Sequence, residues 1–426
     1  MLKTSHTPEE WTANFGYYAL HLHNVSNIVL RGEGNTILRA VGPSRGVLLI
    51  SGSKNIVIEK LRMEGFGEPD TFPEAVIRID GDSPSFNIVI KFCEITKASH
   101  NGIYIDLKFA PEQRHEDIKI IGCYIHDNYD DAIDPNRVYG LVVSNCYIKN
   151  FEGQGVSLEN DCKDSIITAN IFVEEPPWAQ GGAGVYIKDS PHTLITNNIF
   201  EEEICAIRSN SPYVTITGNL IKNCTLGVDF FSHHTIIAQN IFTNITDGRA
   251  IYVESNIEGC LIINNVIEYA SAEGIYLKYV KNCIVGHNIV RNCGQDTTLP
   301  DFRRCGIRLY NTEKCEVVHN IVFDDQETKT QAIGIGVGGG NIGTFVAYNI
   351  VFGNYLVQFD AKLGEGRIYK GNVGYTTEAS GVVTITGDGT TKTFLLNITH
   401  GLVSDNLTAT FMCKRPATFK WWLVDT

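Results

Sequence analysis

Short runs in which apolar and polar residues alternate fill the chain from about Tyr18 to about Tyr375. Ile, Val, Tyr, Phe and Thr are frequent in these runs, and Gly, Asn, Asp and Ser separate them. A period of two with β-branched and aromatic residues predicts strands rather than helices. The runs also repeat. An Asn followed by two aliphatic or aromatic residues recurs at Asn170, Asn198, Asn219, Asn240, Asn265, Asn288, Asn320 and Asn349, in steps of 28, 21, 21, 25, 23, 32 and 29 residues. Between copies lies a second phrase, Gly or Ala followed by alternating apolar residues, as in Gly184-Val185-Tyr186-Ile187 and Gly274-Ile275-Tyr276-Leu277. Strand-bearing units with such a period form solenoids, because one unit cannot bury its apolar face alone.

The architecture this predicts is a parallel β-helix, each strand pairing with its equivalent one coil along. The repeated Asn should stack at a tight turn, since Asn tolerates left-handed backbone and its amide both donates and accepts. Cys93, Cys123 and Cys146 continue the same slot towards the N-terminus, at steps of 30 and 23, and 24 to Asn170. Residues 17–375 resemble the pectate-lyase-like superfamily of right-handed parallel β-helices. Right-handedness is what that resemblance implies, together with the usual hand of parallel crossovers. The expected fold class is all-β, with an N-terminal cap over 1–16, the β-helix over 17–375 and a small C-terminal β module over 376–426. The last segment drops the repeat and turns Thr-rich from Val382 to Thr391. Its stretch Gly387 to Gly401 is similar to small β modules at the ends of viral tail and surface proteins. Such a module would cap the open end of the solenoid.

Composition narrows the partners. The formal charge is −13. That disfavours nucleic acid, which needs a basic track, and no stretch is long and apolar enough for a membrane span. Twelve cysteines could mean disulfides, but Cys260, Cys283 and Cys315 each sit five residues before a repeated Asn. That register predicts reduced thiols stacked in the core. Reduced thiols and the lack of a visible signal peptide favour a cytoplasm-folded or virion-associated protein. The first coil begins almost at once, so the chain also reads as a fragment of a larger extracellular protein.

Alternation sorts each coil-opening strand into inward and outward residues. One outward column reads Arg78, Tyr104, Asp134, Ser157, Tyr186, Arg208, Asp229, Tyr252, Tyr276 and Arg308. The next reads Asp80, Asp106, Asn136, Glu159, Lys188, Asn210, Phe231, Glu254, Lys278 and Tyr310. Neighbouring rungs lie about 4.8 Å apart, so their side chains can share one sugar. The bland reading of such a face is surface charge paired across rungs. Carboxylates, a Lys, an Arg and aromatics gathered within a few rungs instead favour a glycan groove, and Trp178 in the excursion 174–182 could stack on a ring.

Three family resemblances meet on this face. Gly184 to Ser190, followed by Ala206 to Asn210, looks like the alginate lyase and chondroitinase B family. That likeness implies Lys188 as the base, with Arg208 one rung later. The acidic calcium ligand expected just upstream is replaced by Ala183 and Gly184. Ile133-Asp134-Pro135-Asn136, with Glu159 one rung on, resembles the mannuronan C5-epimerases, with Asn136 in place of their His. Tyr129-Asp130-Asp131-Ala132-Ile133 and Gly153-Gln154-Gly155 resemble polygalacturonases, with Gln154 in place of a His.

The leading expectation is a lyase that cleaves an acidic polysaccharide by β-elimination. Lys188, Arg208, Tyr186, Asp134 and Glu159 would be catalytic. Trp178, Tyr104, Asp106, Asp229 and Tyr252 would bind substrate. Asp106, Asp134 and Glu159 would together hold a Ca²⁺, whose preferred ligands are oxygens. The alternatives are a glycoside hydrolase using two of Asp106, Asp131, Asp134 and Glu159, and a non-catalytic glycan-binding viral spike, which would be a trimer.

Overall fold

The computed structural model describes residues 18–41, 46–66, 75–107, 112–175, 182–361 and 368–374. The expected cap over 1–16, the C-terminal module over 376–426 and Trp178 lie outside the described residues. Within them the chain winds into three parallel sheets. The first has 14 strands, from Tyr18–His23 to Val357–Ala361. The second has 15, from Ser26–Arg31 to Ile368–Lys370, and the third has 13, from Ile37–Arg39 to Ile350–Phe352. Strands recur in the order first, second, third along the chain, so each coil contributes one rung to every sheet, except that Val138–Tyr139 is an extra strand of the second sheet and the last described coil has no strand in the third.

The inward positions of the strands fill one continuous core with stacked Ile, Val, Leu and Phe. Like side chains lie over like: the Phe172 and Phe200 rings are 4.8 Å apart and 8° from parallel. Gly opens strands of the first sheet because that corner is tight. A Cβ at Gly184 would lie 2.6 Å from the Phe200 ring and 2.9 Å from the Ala206 carbonyl oxygen.

The Asn ladder forms at the turn between the second and third sheets. Asn198 donates through Nδ2 to Asn219 Oδ1 at 3.0 Å, and Asn219 repeats the bond to Asn240 at 3.0 Å. The chain of bonds runs from Asn170 to Asn349 and on to Asn372, a rung the repeat had not revealed. The Cys extension also holds, since the Cys146 amide donates to Asn170 Oδ1. One detail differs from expectation. The left-handed residue is the one before each ladder Asn, such as Ala169, Gly218 or His287. The ladder Asn is therefore selected for its amide, which feeds two neighbouring coils. The eleven cysteines among the described residues are all buried and free of disulfides. Among those residues no helix is long and apolar enough to cross a membrane.

Candidate functional site

The outward columns read from alternation are the columns of the first sheet. Tyr104 is in register with Arg78 and Asp134, Tyr186 with Ser157 and Arg208, and Asp229 with Arg208 and Tyr252. In the second column Asn136 pairs with Glu159, and Glu254 with Lys278. A regular parallel ladder repeats one register at every rung, which is why residue parity sufficed to place them.

The chemistry concentrates at the strand Ile133–Pro135 and the turn before it. Asp134 receives Asn101 Nδ2 on Oδ2 at 3.1 Å and Asn136 Nδ2 on Oδ1 at 2.8 Å. Burial, with the nearby charges of Glu159 and Asp130, pushes its carboxyl up to about 7 against the Asn136 bond. Asp131, three residues earlier, is held well above the carboxylate range, by burial first and then by Asp130 and Asp134. Its backbone N–H donates to Asn101 Oδ1, and its Oδ1 accepts the Gln154 N–H. Gln154 in turn accepts the Ala183 N–H through Oε1. Asn101, Asp131 and Gln154 thus form a polar ladder along the edge of the sheet. Gly153 makes room for it, since a Cβ there would collide with carboxylate oxygens of both Asp130 and Asp131. Asp130 is paired with His100 at 2.8 Å. The side chain that stands where a polygalacturonase would carry His is therefore bound to backbone one rung on.

The other expected residues sit around this cluster. Asp106 is paired with Arg137, accepts Tyr104 Oη at 2.9 Å, and accepts the Leu107 N–H at 2.8 Å. Tyr186 is half-buried and Lys188 exposed, and the Lys188 ammonium forms no ion pair among the described residues. Arg208 stands one rung further, 3.7 Å from Asp229. Burial raises the Asp229 carboxyl despite that guanidinium. Lys188 and Arg208 thus project from consecutive rungs, as their 20-residue spacing required. Tyr252 lies further along, stacked on Tyr276.

Two of the three carboxylates expected to hold calcium already take protein donors. Asp106 is spent on Arg137 and Tyr104, and both oxygens of Asp134 accept amide donors. Among the described residues no group of three or more His, Cys, Asp or Glu is arranged to hold a metal ion.

Alternation did not locate Asp130, Asp131, Arg249 or Glu273 on the face, because they occupy the turn that enters the sheet. Only the likeness of the Asp130-Asp131 pair to a known motif marked that turn.

No curated protein shows a significant sequence match to the chain. Solved structures similar to the chain include gene product 12 of bacteriophage phi29, at 14% identity and a TM-score of 0.57, covering 87% of this chain and 54% of that one. A tailspike of E. coli bacteriophage HK620, solved in complex with a pentasaccharide, matches at 11% identity, 71% and 59% coverage and a TM-score of 0.48. The periplasmic alginate epimerase AlgG matches at 14% identity, 76% and 77% coverage and a TM-score of 0.46. The chain spans less than two thirds of the length of either phage protein. The profile of the right handed beta helix region matches residues 18–208 and 204–387. The chain belongs to that family of right-handed parallel β-helices.

Proposed function

We propose that the protein is a polysaccharide-active β-helix that hydrolyses an acidic polysaccharide on the outer face of its first sheet. The observation that carries this reading is Asp134. Its carboxyl is held near neutrality on a rigid strand, between two Asn donors and beside three more carboxylates. Glycoside hydrolysis needs one carboxylic acid to protonate the leaving oxygen and a second carboxylate to activate water or attack. Asp134 is the acid in this assignment. It keeps its proton up to about pH 7, and each oxygen retains a lone pair beyond the one its Asn occupies. Glu159, half-buried one rung on, is the base or nucleophile. Asp131 and Gln154 position the strand and do not touch substrate. Tyr186, Lys188 and Arg208, on the next two rungs, meet the sugar's own carboxylate. No step requires calcium.

One observation favours a second reading, β-elimination. The unpaired ammonium of Lys188 stands one rung from Arg208, a lysine base with a guanidinium beside it. The two chemistries leave different products. On a panel of uronic-acid polymers, hydrolysis gives new reducing ends with no ultraviolet absorbance of an unsaturated uronate, and elimination gives both. The expected result is reducing ends alone. Unsaturated product would transfer the assignment to Lys188. No product from any polymer would leave a binding surface.

A further inference from the structure

Further along the same face a second cluster forms, of different character. The strands Ile251–Glu254, Ile275–Lys278 and Cys305–Tyr310 are consecutive rungs of the first sheet. In the turn that enters the first of them, Arg249 Nε donates to Glu273 Oε2 at 3.0 Å, Glu273 lying in the turn that enters the second, and from the third strand Arg308 Nη1 donates to Glu273 Oε1 at 2.7 Å. Glu273 is fully buried. One carboxylate between two guanidiniums leaves a positive charge in excess.

Each guanidinium has five N–H groups. Arg249 spends Nε and Arg308 spends Nη1. Their other N–H groups meet no acceptor among the described residues, although the side chains are only 22% and 14% exposed. Half-buried donors without acceptors are what a carboxylate fits, and a planar fork suits it best.

Aromatic rings frame the donors. The Arg249 guanidinium lies 4.4 Å from the Tyr252 ring, and Arg308 lies 4.6 Å from Tyr276 and 4.9 Å from Phe302. Phe302 itself is 53% exposed. Its short helix, Asp301–Arg303, is tied down by Asp301, which accepts from both Arg304 and Tyr355. An anchored, exposed ring beside an anion-binding fork is a platform for the apolar face of a sugar.

We propose that Arg249, Arg308 and Phe302 form a second saccharide subsite that takes a carboxylated sugar of the same polymer. This rests on the reading that the first sheet's face accepts an acidic polysaccharide. The register sets the distance. Tyr252 stands five rungs and Arg308 seven rungs beyond Asp134, or about 24 and 34 Å at 4.8 Å per rung. A chain filling both sites must be a long oligosaccharide, so the protein prefers polymer interiors to short ends.

The test uses the full chain carrying Asp134→Asn to prevent cleavage, with binding of galacturonate and mannuronate oligosaccharides followed by calorimetry. A decasaccharide should bind at least about tenfold more tightly than a trisaccharide of the same sugar, a difference of ~1.4 kcal/mol. Arg308→Gln should abolish that gain and leave trisaccharide binding unchanged. Phe302→Ala should do the same without touching the Glu273 ion pair, which covers the case where Arg308→Gln fails to fold. A carboxyl-reduced decasaccharide should lose the gain in the parent. Length preference retained in both variants, or equal binding of the carboxyl-reduced chain, would overturn the subsite while leaving the Asp134 assignment intact. Absence of binding by any acidic oligosaccharide would overturn both.

Discussion

At the residue scale, the chemistry depends on how neighbours set the state of one carboxyl. Asp134 sits near pH 7 because burial and adjacent negative charge outweigh the Asn136 donor. In the proposed role of general acid it works only while protonated, so the rate should fall as pH rises through about 7. Removing the Asn136 donor should move that limb. The donor favours the ionised form, so Asn136→Ala should shift the alkaline limb of kcat/KM upward, measured on the polymer that the parent cleaves. An unmoved limb would remove Asp134 from the acid's role. The sequence exposed Asp134 through parity, because every second residue of a strand faces out, and through the likeness of Ile133 to Asn136 to an epimerase motif. It could not expose the state of that carboxyl, which depends on Asn101 and Glu159 from other coils, 33 and 25 residues away. Nor could it show that Asp106, chosen as a metal ligand, is consumed by Arg137.

At the scale of the element, ladders hold the coils in register, and they can be probed singly. Asn219 bonds Asn240 and the Ile195 carbonyl, and accepts from Asn198, all in a buried row. Asn219→Leu leaves those partners unsatisfied and should cost about 1–3 kcal/mol in chemical denaturation. A variant that unfolds like the parent would contradict the ladder's energetic role. A second column, at the turn into the first sheet, carries a defect of the opposite kind. Glu203 is fully buried, with both carboxylate oxygens lacking a hydrogen-bond partner among the described residues. Burial holds it well above its ordinary value, and burial pushes the neighbouring Glu174 up to about 8.

The sign of the pH dependence follows from these two shifts. Both folded-state values lie above the unfolded value of 4.5, so the folded chain binds more protons between them. The contribution of Glu174 is full below about pH 4.5 and is lost as pH rises towards about 8, and that of Glu203 declines in the same direction as pH rises above about 4.5. Glu203→Gln should therefore raise Tm at pH 8 more than at pH 5. An equal shift at both values would mean the carboxyl is not protonated in the fold. Alternation did not flag this pair, since both residues lie between strands.

At the scale of the whole molecule, the period of the Asn phrase and the parity of the strands gave the stacked-coil parallel solenoid, and the structure adds that its coils build three sheets. Both are local patterns that one geometry satisfies at every rung. The Cys columns followed from the same register. Burial pushes the thiols of Cys162, Cys205 and Cys293 up to about 12. Alkylation of the native protein should leave the eleven described cysteines unlabelled, and alkylation in denaturant without reductant should label all of them. Disulfide-linked peptides would contradict the packing of these columns. The working face was harder to read than the fold, because its two clusters are assembled partly from turns. Turn residues escape the period of two, so Asp131, Arg249 and Glu273 met their partners only once the coils were stacked.

The central claim is that the carboxylates around Asp134, rather than Lys188, perform the reaction. The most direct measurement compares Asp134→Asn and Lys188→Ala on one acidic polymer, with reducing ends and unsaturated product followed together and folding checked by thermal denaturation. Asp134→Asn should lose about 10²–10⁴ in rate, the usual worth of a general acid, while Lys188→Ala keeps its rate within about tenfold and neither makes unsaturated product. Loss of activity in Lys188→Ala, with unsaturated uronate made by the parent, would contradict the account.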